Sequence, residues 1–203
     1  MILRFFIFRH GETDWNLQKK FQGHTDIPLN QNGISQATQL AEKVKKLQLK
    51  AILSSDLSRA LKTAEIALGG RQIPFHIHAD LRETHLGDAE GLTHDEINLK
   101  FGEDIIAKWK SITTEDVDYK FPNGEKKSDH LKRLRRFIEN YAHSGTHQNG
   151  DQIGVSTHGG SLVRLVHASE GAPSTTIAIH NCSMYEINYH VHERRWVFIG
   201  EVI

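Results

Sequence analysis

Two histidines in this chain follow apolar runs, and each is followed directly by a glycine. Arg9, His10 and Gly11 come after the apolar run that opens the chain, and His158 comes after the run QIGVST. An imidazole can act as a nucleophile or a base, and a guanidinium offers a planar fork of donors that suits phosphate. These residue types indicate an anion site with a group that can react.

Further residues with suitable chemistry follow other predicted strands. Arg59, in the stretch SSDLSRALKTA, lies on the first turns of a predicted helix. Two arginines and two histidines match a phosphate dianion better than a carboxylate. Glu83, in LRETHLGDAEG, could give a proton to a leaving oxygen, and Glu90 competes for that role. Gly11 has no Cβ, so we expect an anion to approach the backbone there.

The pattern of apolar residues predicts the elements that must position these groups. Short apolar runs alternate with stretches in which apolar residues recur at helical spacing, and the chain closes with an antiparallel pair. This order predicts a three-layer α/β/α sandwich with a mainly parallel central sheet. Ligands bind such sheets at the carboxyl ends of the strands. If their strands are neighbours, His10 and His158 meet at one pocket.

One segment departs from this alternation. Residues from about 80 to 126 are polar and carry few strand signals, which predicts a polar cap inserted over one face of the sheet. Thr93 and Glu96 have the spacing of a capping box that opens a short helix. The length of 203 residues predicts a single domain, 1–203, that includes this cap.

Composition limits the function classes. The chain has 25 Lys or Arg and 25 Asp or Glu, and this zero net charge gives no support for binding to nucleic acid or to a membrane surface. Residues 126–136 are locally basic, but Leu131 and Leu134 mark an amphipathic helix with a solvated face. No apolar run approaches the roughly 20 residues of a membrane span, and no signal peptide is evident. A cytoplasmic protein is expected.

Six blocks of sequence, in order, resemble the histidine phosphatase superfamily, also called phosphoglycerate mutase-like. Their order and their spread over most of the chain make the resemblance specific, whereas the Arg-His-Gly triplet alone would be weak. The chain is most similar to the broad phosphatase branch of that family. The blocks are RHGETDWN (9–16), FQGHTDIPLNQNG (21–33), SSDLSRALKTA (54–64), LRETHLGDAEG (81–91), NGE (123–125) and STHGG (156–160).

The resemblance implies a metal-independent phosphomonoesterase that needs no cofactor and acts on a small phosphomonoester. His10 would attack phosphorus and become a phosphohistidine, and Glu83 would serve as general acid and base. The equatorial oxygens would be held by Arg9, Arg59 and His158. Further contacts to the phosphoryl group or the substrate are expected from Gly11, Thr13, Asn16, Gln22 and Gly23.

Two other functions remain as alternatives. Phosphoglycerate mutases of this family carry an arginine pair followed by Ser-Tyr in the cap, whereas this chain reads Lys108-Trp109-Lys110-Ser111-Ile112. This difference favours a phosphatase over a mutase. A catalytically silent sensor of phosphorylated ligands would not need both a nucleophile and an acid. Sugar phosphates, phosphoglycerates, nucleotides, ribazole phosphate and phosphoproteins all stay open as substrates.

Three other features have ordinary interpretations. His76 with His78, and His190 with His192, each place two imidazoles on one strand face, but neither pair has an obvious third ligand for a metal. Cys182 is the one cysteine, which excludes an internal disulfide, and it suits a small core residue better than a nucleophile.

Overall fold

The computed structural model describes residues 1–111, 118–145 and 147–203. Within these ranges six strands form one sheet in the order β3-β2-β4-β1-β5-β6. The first four strands are mutually parallel, and β5 and β6 form an antiparallel pair beside β1, as the sequence predicts. The strands are β1 (Ile2–Arg9), β2 (Leu49–Ser54), β3 (Phe75–Ile77), β4 (Gln152–Thr157), β5 (Met184–His190) and β6 (Arg195–Glu201).

Capping residues mark the ends of two of the helices. Asn30 caps the second helix by accepting a hydrogen bond from the Gly33 N–H, and Gly69 ends the third helix in the left-handed region with a φ of 57°. None of the helices in the described ranges is long and apolar enough to cross a membrane. They are α1 (Asp14–Leu17), α2 (Gln31–Lys45), α3 (Ser58–Leu68), α4 (His94–Phe101), α5 (Ile105–Lys110), α6 (Lys127–Ala142) and α7 (Gly159–His167).

Alternation along β1 builds the two apolar cores. Leu3, Phe5 and Ile7 pack into the cluster that contains buried residues of α6 and α7. Phe6 and Phe8 point to the opposite face and pack with residues of α2 and α3. Successive side chains of a strand face opposite sides of the sheet, so one strand contributes to both cores. The three-layer α/β/α architecture is therefore confirmed.

The centre of the sheet brings the two His-Gly passages together. β1 and β4 are neighbours in parallel register, with Phe8 opposite Ser156 and Arg9 opposite Thr157. The His10 N–H donates to the Thr157 carbonyl at 3.0 Å, which continues the ladder past the strand ends. The two histidines thus leave the sheet at the same level, as the sequence predicts for neighbouring strands.

The predicted cap carries a small apolar core of its own as well as polar residues. Phe121 is fully buried, and it contacts the rings of Phe21, Phe101 and Trp109. The capping box of Thr93 opens α4 as predicted. Residues 112–117 of the cap, including Ile112, lie outside the described residues, and so does Thr146. The sequence pattern missed this core because its aromatic residues are scattered and recur at neither helix nor strand spacing.

Candidate active site

A cavity of about 350 Å³ opens at the carboxyl ends of the parallel strands. It collects side chains from β1, α3, α5, α7 and the loops between them. Seven of the residues that the sequence places in the site line this cavity: Arg9, His10, Asn16, Gln22, Gly23, Arg59 and Glu83. Four other candidates, Gly11, Thr13, Glu90 and His158, are not among the described residues that line it.

The ring of His10 is held in one orientation. Its Nδ1 lies 2.6 Å from the Gly11 carbonyl oxygen, which can only accept a hydrogen bond, so Nδ1 carries the proton. The lone pair of the neutral ring is then on Nε2. Burial, together with the positive charges of Arg59 and Arg9, holds the pKa of His10 well below its usual range. The ring is therefore a neutral imidazole at pH 7 and can act as a nucleophile through Nε2.

Two guanidinium groups flank this imidazole. Arg59 is fully buried and donates to the carbonyl oxygens of Thr25 and Gly23, at 2.9 and 2.8 Å. Arg9 donates to the Ile179 carbonyl at 2.7 Å. Burial lowers the pKa of Arg59 to about 10, so it keeps its charge at pH 7. The Nε atoms of both arginines have no hydrogen-bond partner among the described residues, although a buried donor normally has one.

His158 lies against His10 and is fully buried. The two ring centroids are 5.2 Å apart with the planes at 60°, and Nε2 of His158 is 3.0 Å from the Ser55 hydroxyl. Burial, with the charge of Arg59, holds the pKa of His158 well below its usual range. Its Nδ1 has no hydrogen-bond partner among the described residues. A second neutral imidazole with a spare nitrogen therefore stands beside the first.

The carboxylate of Glu83 is held by two backbone donors. One oxygen accepts from the Thr84 N–H and the other from the Gly160 N–H, each at 2.8 Å. A Cβ on Gly160 would lie 2.5 Å from the Glu83 carboxylate, so only glycine allows this approach at the start of α7. Glu83 forms no ion pair with the neighbouring Arg82, which pairs with Asp56 at 2.6 Å.

A clamp under Glu83 comes from a residue that sequence reasoning assigned to a solvated face. Arg133, on α6, donates to the backbone carbonyls of Asp80, Arg82 and Glu83. It also forms a two-pronged ion pair with Glu125, whose carboxylate accepts from the His85 N–H. The solvated-face interpretation is wrong for Arg133, because α6 turns this side chain inward against residues 80–85. The NGE block of the sequence was the available signal.

Glu90 has a structural task instead of a place on the cavity wall. Its carboxylate accepts hydrogen bonds from the backbone N–H groups of His24, Thr25 and Leu86. Burial opposes the ionised form, but these bonds and one from the Thr25 hydroxyl lower the pKa of Glu90 below its ordinary value. Glu90 is not among the described residues that line the cavity, and its lowered pKa keeps it ionised, so it is poorly placed to be the acid. Glu90 instead holds the loop whose carbonyls anchor Arg59.

The glycine of the Arg-His-Gly triplet is explained by packing. A Cβ on Gly11 would lie 2.4 Å from the carbonyl oxygen of Gly33, at the start of α2. The Gly11 N–H donates to the Thr63 hydroxyl at 3.0 Å, so it is already satisfied. The structure thus gives a packing reason for a glycine at this position. The missing Cβ leaves room for a helix.

The loop after β1 supports the site through side chains. Thr13 is buried, caps α1, and donates to the Gln22 side chain at 3.0 Å, so it acts behind the cavity wall. Asn16 lines the cavity, and its Oδ1 accepts from the Thr13 N–H and from Asn181. Because Oδ1 of Asn16 is already engaged, its amide N–H group is the part of the side chain left to contact a ligand. Asn181, which the sequence did not suggest, also donates to the His10 carbonyl.

The remaining candidates stand apart from the cavity. No group of three or more His, Cys, Asp or Glu side chains in the described part of the chain could hold a metal ion. Burial raises the pKa of the Cys182 thiol to about 12, and Cys182 packs beside the core formed with α2 and α3. A thiol of this kind does not ionise at pH 7, which agrees with its interpretation as a core residue.

Fold and site together define an α/β protein with a strand-end histidine between two arginines at one cavity. Residues 5–201 match the model of the histidine phosphatase superfamily, branch 1. The chain belongs to this superfamily.

The names of individual relatives and solved structures include both phosphoglycerate mutase and phosphatase. The chain is 34% identical over 180 residues to "Phosphoglycerate mutase-like protein 4" of Arabidopsis thaliana, covering 88% of this chain and 76% of the relative. It is 29% identical over 210 residues to "Probable phosphoglycerate mutase GpmB" of Escherichia coli, covering 100% of this chain and 91% of the relative. A structure of mycobacterial glucosyl-3-phosphoglycerate phosphatase with VO3 matches with a TM-score of 0.83, at 29% identity and 97% coverage of both chains.

The clamp predicts a large stability loss for Arg133→Gln. The exchange removes three bonds to backbone carbonyls and leaves Glu125 without its partner, and these side chains are only 14% and 20% exposed. We expect the free energy of unfolding to fall by about 3 kcal/mol in urea denaturation. Arg136→Gln is the control, since its side chain is 65% exposed and should change stability by under about 1 kcal/mol. Equal losses in the two variants would contradict the clamp.

The electrostatics of His10 predict its protonation state. Because its pKa is lowered in the folded protein, His10 stays neutral as the pH falls through about 6.5, where an unfolded histidine gains its proton. The folded state then binds fewer protons, so stability is lost as the pH falls below that value. The His10 ring resonance in NMR should stay constant from pH 8 to 6. The same resonance in urea should titrate, and titration in the folded protein would disprove the assignment.

Proposed function

We propose that this protein is a metal-independent phosphomonoesterase that works through a phosphohistidine on His10. The observation that carries the proposal is a neutral imidazole, with its lone pair on Nε2, beside two buried guanidinium groups at one cavity. A phosphoryl group in this cavity would meet a nucleophile and two positive charges at once. Positioning and charge stabilisation of this kind supply most of the catalysis in phosphoryl transfer.

The first step transfers the phosphoryl group to the enzyme. Nε2 of His10 attacks phosphorus, and the bond from phosphorus to the ester oxygen breaks on the opposite side. The leaving oxygen takes a proton from the Glu83 carboxyl group, which lines the same cavity. Arg9 and Arg59 hold the charge on the equatorial oxygens, and their unpartnered Nε–H groups are donors still available in the site.

The second step returns the enzyme to its starting state. Glu83 is now a carboxylate and takes a proton from a water molecule, which attacks phosphorus. The bond from phosphorus to Nε2 breaks, and His10 becomes neutral imidazole again as inorganic phosphate leaves. The spare Nδ1 of His158 supports a role for this residue as a further contact to the phosphoryl group.

The positive charge that such a reaction needs is present in side chains. Arg9 and Arg59 stand where a metal ion would stand in many other phosphoryl-transfer sites. The Asn16 amide and the loop at Gln22 and Gly23 line the cavity and would complete the cradle. The substrate class is accordingly a small phosphomonoester, and no cofactor takes part.

Phosphoglycerate mutase activity is the second candidate, because two relatives carry that name. A mutase of this family needs cations that grip the substrate carboxylate. Lys20 and Lys110 line the cavity and could serve, although an ammonium group lacks the planar fork of an arginine. The likeness to a phosphatase structure over 97% of both chains supports hydrolysis equally well. The cap sequence therefore decides our preference for a phosphatase.

The first experiment measures p-nitrophenyl phosphate hydrolysis in EDTA. Wild type should release nitrophenolate, and His10→Ala should lose at least about 1,000-fold in kcat because the covalent route is closed. His192→Ala is the control, since that histidine is exposed and distant in sequence from the cavity residues. Acid-labile ³²P should label wild type and the control only. Labelling of His10→Ala would place the nucleophile elsewhere.

The same series tests the mutase alternative. Conversion of 3-phosphoglycerate to 2-phosphoglycerate, with a bisphosphoglycerate primer, faster than its hydrolysis would favour a mutase. Binding of phosphoesters without turnover of any of them would favour a silent sensor.

Glu83→Gln should slow substrates according to their leaving groups. An alkoxide needs a proton as it leaves, whereas nitrophenolate does not, so single-turnover rates for alkyl phosphates should fall about 100-fold or more and those for p-nitrophenyl phosphate far less. Single turnover separates this step from the shared dephosphorylation. Glu90→Gln is the comparison, because the bonds of Glu90 predict lower stability without leaving-group dependence. If instead the rate of Glu90→Gln depended on the leaving group, Glu90 would be the acid and Glu83 the structural residue.

A further inference from the structure

A second cavity of about 460 Å³, the flanking cavity, lies directly beside the catalytic one. The two share wall residues from α5 and α7, namely Trp109, Lys110, Gly160 and Val163. The two cavities are therefore neighbours along α5 and α7. Residues that line the flanking cavity and not the catalytic one include Leu131, Arg164, His167, Ala168 and Thr176.

The walls of the flanking cavity are largely apolar, but Arg164 places a cation among them. Its guanidinium lies over the Trp109 ring, 5.0 Å from the centroid, and donates to the Gly160 carbonyl at 3.0 Å. Its Nε has no hydrogen-bond partner among the described residues. Burial lowers the pKa of Arg164, while the negative charges of Glu83 and Glu125 oppose that change. A guanidinium in apolar surroundings is stabilised by an anion that pairs with it.

A histidine on the same helix adds a second polar group. Nε2 of His167 is buried and has no hydrogen-bond partner in the described part of the chain. Burial lowers the pKa of His167, so the ring is neutral at pH 7. Arg164 and His167 follow one another closely on α7 and both line the cavity. They give one end of an apolar space two nitrogen atoms that a ligand oxygen could contact.

We propose that the flanking cavity binds the alcohol part of the substrate, and that this part has an apolar or aromatic body carrying a carboxylate that pairs with Arg164. The inference rests on the proposed function, since it takes the phosphoryl group to lie at His10. Trp109, Val163 and Ala168 contact the apolar body, and Arg164 and His167 select the anionic oxygen. A cavity that binds only alkyl or neutral groups would gain nothing from a buried cation.

Matched aryl phosphates test the charge. The pairs are 3- and 4-carboxyphenyl phosphate with 3- and 4-carbamoylphenyl phosphate, which share shape and differ in charge. The amide withdraws electrons more strongly, so intrinsic reactivity favours the amide and opposes the prediction. Wild type should prefer one carboxylate isomer in kcat/KM by about tenfold, the worth of a charge-assisted hydrogen bond.

Two variants and a control assign the preference to the flanking cavity. Arg164→Gln should bring the ratio of kcat/KM for the carboxylate to kcat/KM for the amide close to one. Because this is a ratio within one variant, any general effect on catalysis cancels. Ala168→Phe fills the cavity and should lower the ratio of 2-naphthyl to phenyl phosphate by about tenfold, because the second ring loses its apolar contact. Arg136→Gln, which removes an exposed arginine on α6, should leave both ratios as in wild type.

Binding of 2-naphthoate, measured by calorimetry, makes the result independent of turnover. Wild type should bind it at least about tenfold more tightly than Arg164→Gln or Ala168→Phe does. If this holds while no aryl phosphate is hydrolysed, the flanking cavity stands and the proposed function fails. The opposite result has two parts: neither variant changes the kcat/KM ratios of carboxylate to amide and of naphthyl to phenyl, and all proteins bind naphthoate equally. Together with hydrolysis by wild type, it would overturn the role of the flanking cavity and leave the proposed function intact.

Discussion

The site depends on keeping two guanidinium groups charged next to a neutral imidazole in a place with little water. Burial works against the charge of Arg59, and its pKa of about 10 shows that the charge survives. Burial and the charges of the same arginines lower the pKa of His10 and so keep its lone pair available. In the proposed mechanism the arginines therefore favour the neutral form of His10 that attacks phosphorus, since they would repel a protonated ring.

Backbone groups hold the charged side chains of Arg9, Arg59 and Glu83 at the cavity. Arg59 binds the carbonyls of Gly23 and Thr25, and Glu90 fixes that loop through its N–H groups. Glu83 is held by backbone N–H groups, and the chain beneath it is clamped by Arg133. Such preorganisation places charges before the substrate arrives, so little reorganisation is needed during the reaction. Three charged residues lie outside the cavity, namely Glu90, Glu125 and Arg133. In the proposed reaction they act only by holding the residues that line it.

Much of this could be predicted from the sequence, because it follows from local pattern. Alternating apolar runs and helical spacing predicted the layers. The parallel order predicted that the ends of β1 and β4 would meet if these strands were neighbours, and the structure shows that they are. The residue types after those strands predicted an anion site. Glu83 lines the cavity and Glu90 does not, whereas the sequence left these two residues, seven positions apart, as alternatives. Only the loop path turns one carboxylate toward the cavity and the other toward the backbone of residues 24–25.

By itself, then, the sequence determined the fold class, the edge of the sheet where ligands bind, and the chemistry gathered there, since strand order and residue type are properties of the chain. Tertiary structure decided what depends on contacts between distant segments. In the folded chain Arg133 points inward, Gly11 packs against Gly33, and Arg164 lines a second cavity between α5 and α7. Burial and partners define these roles, and both arise from residues far apart in sequence, which no local pattern contains.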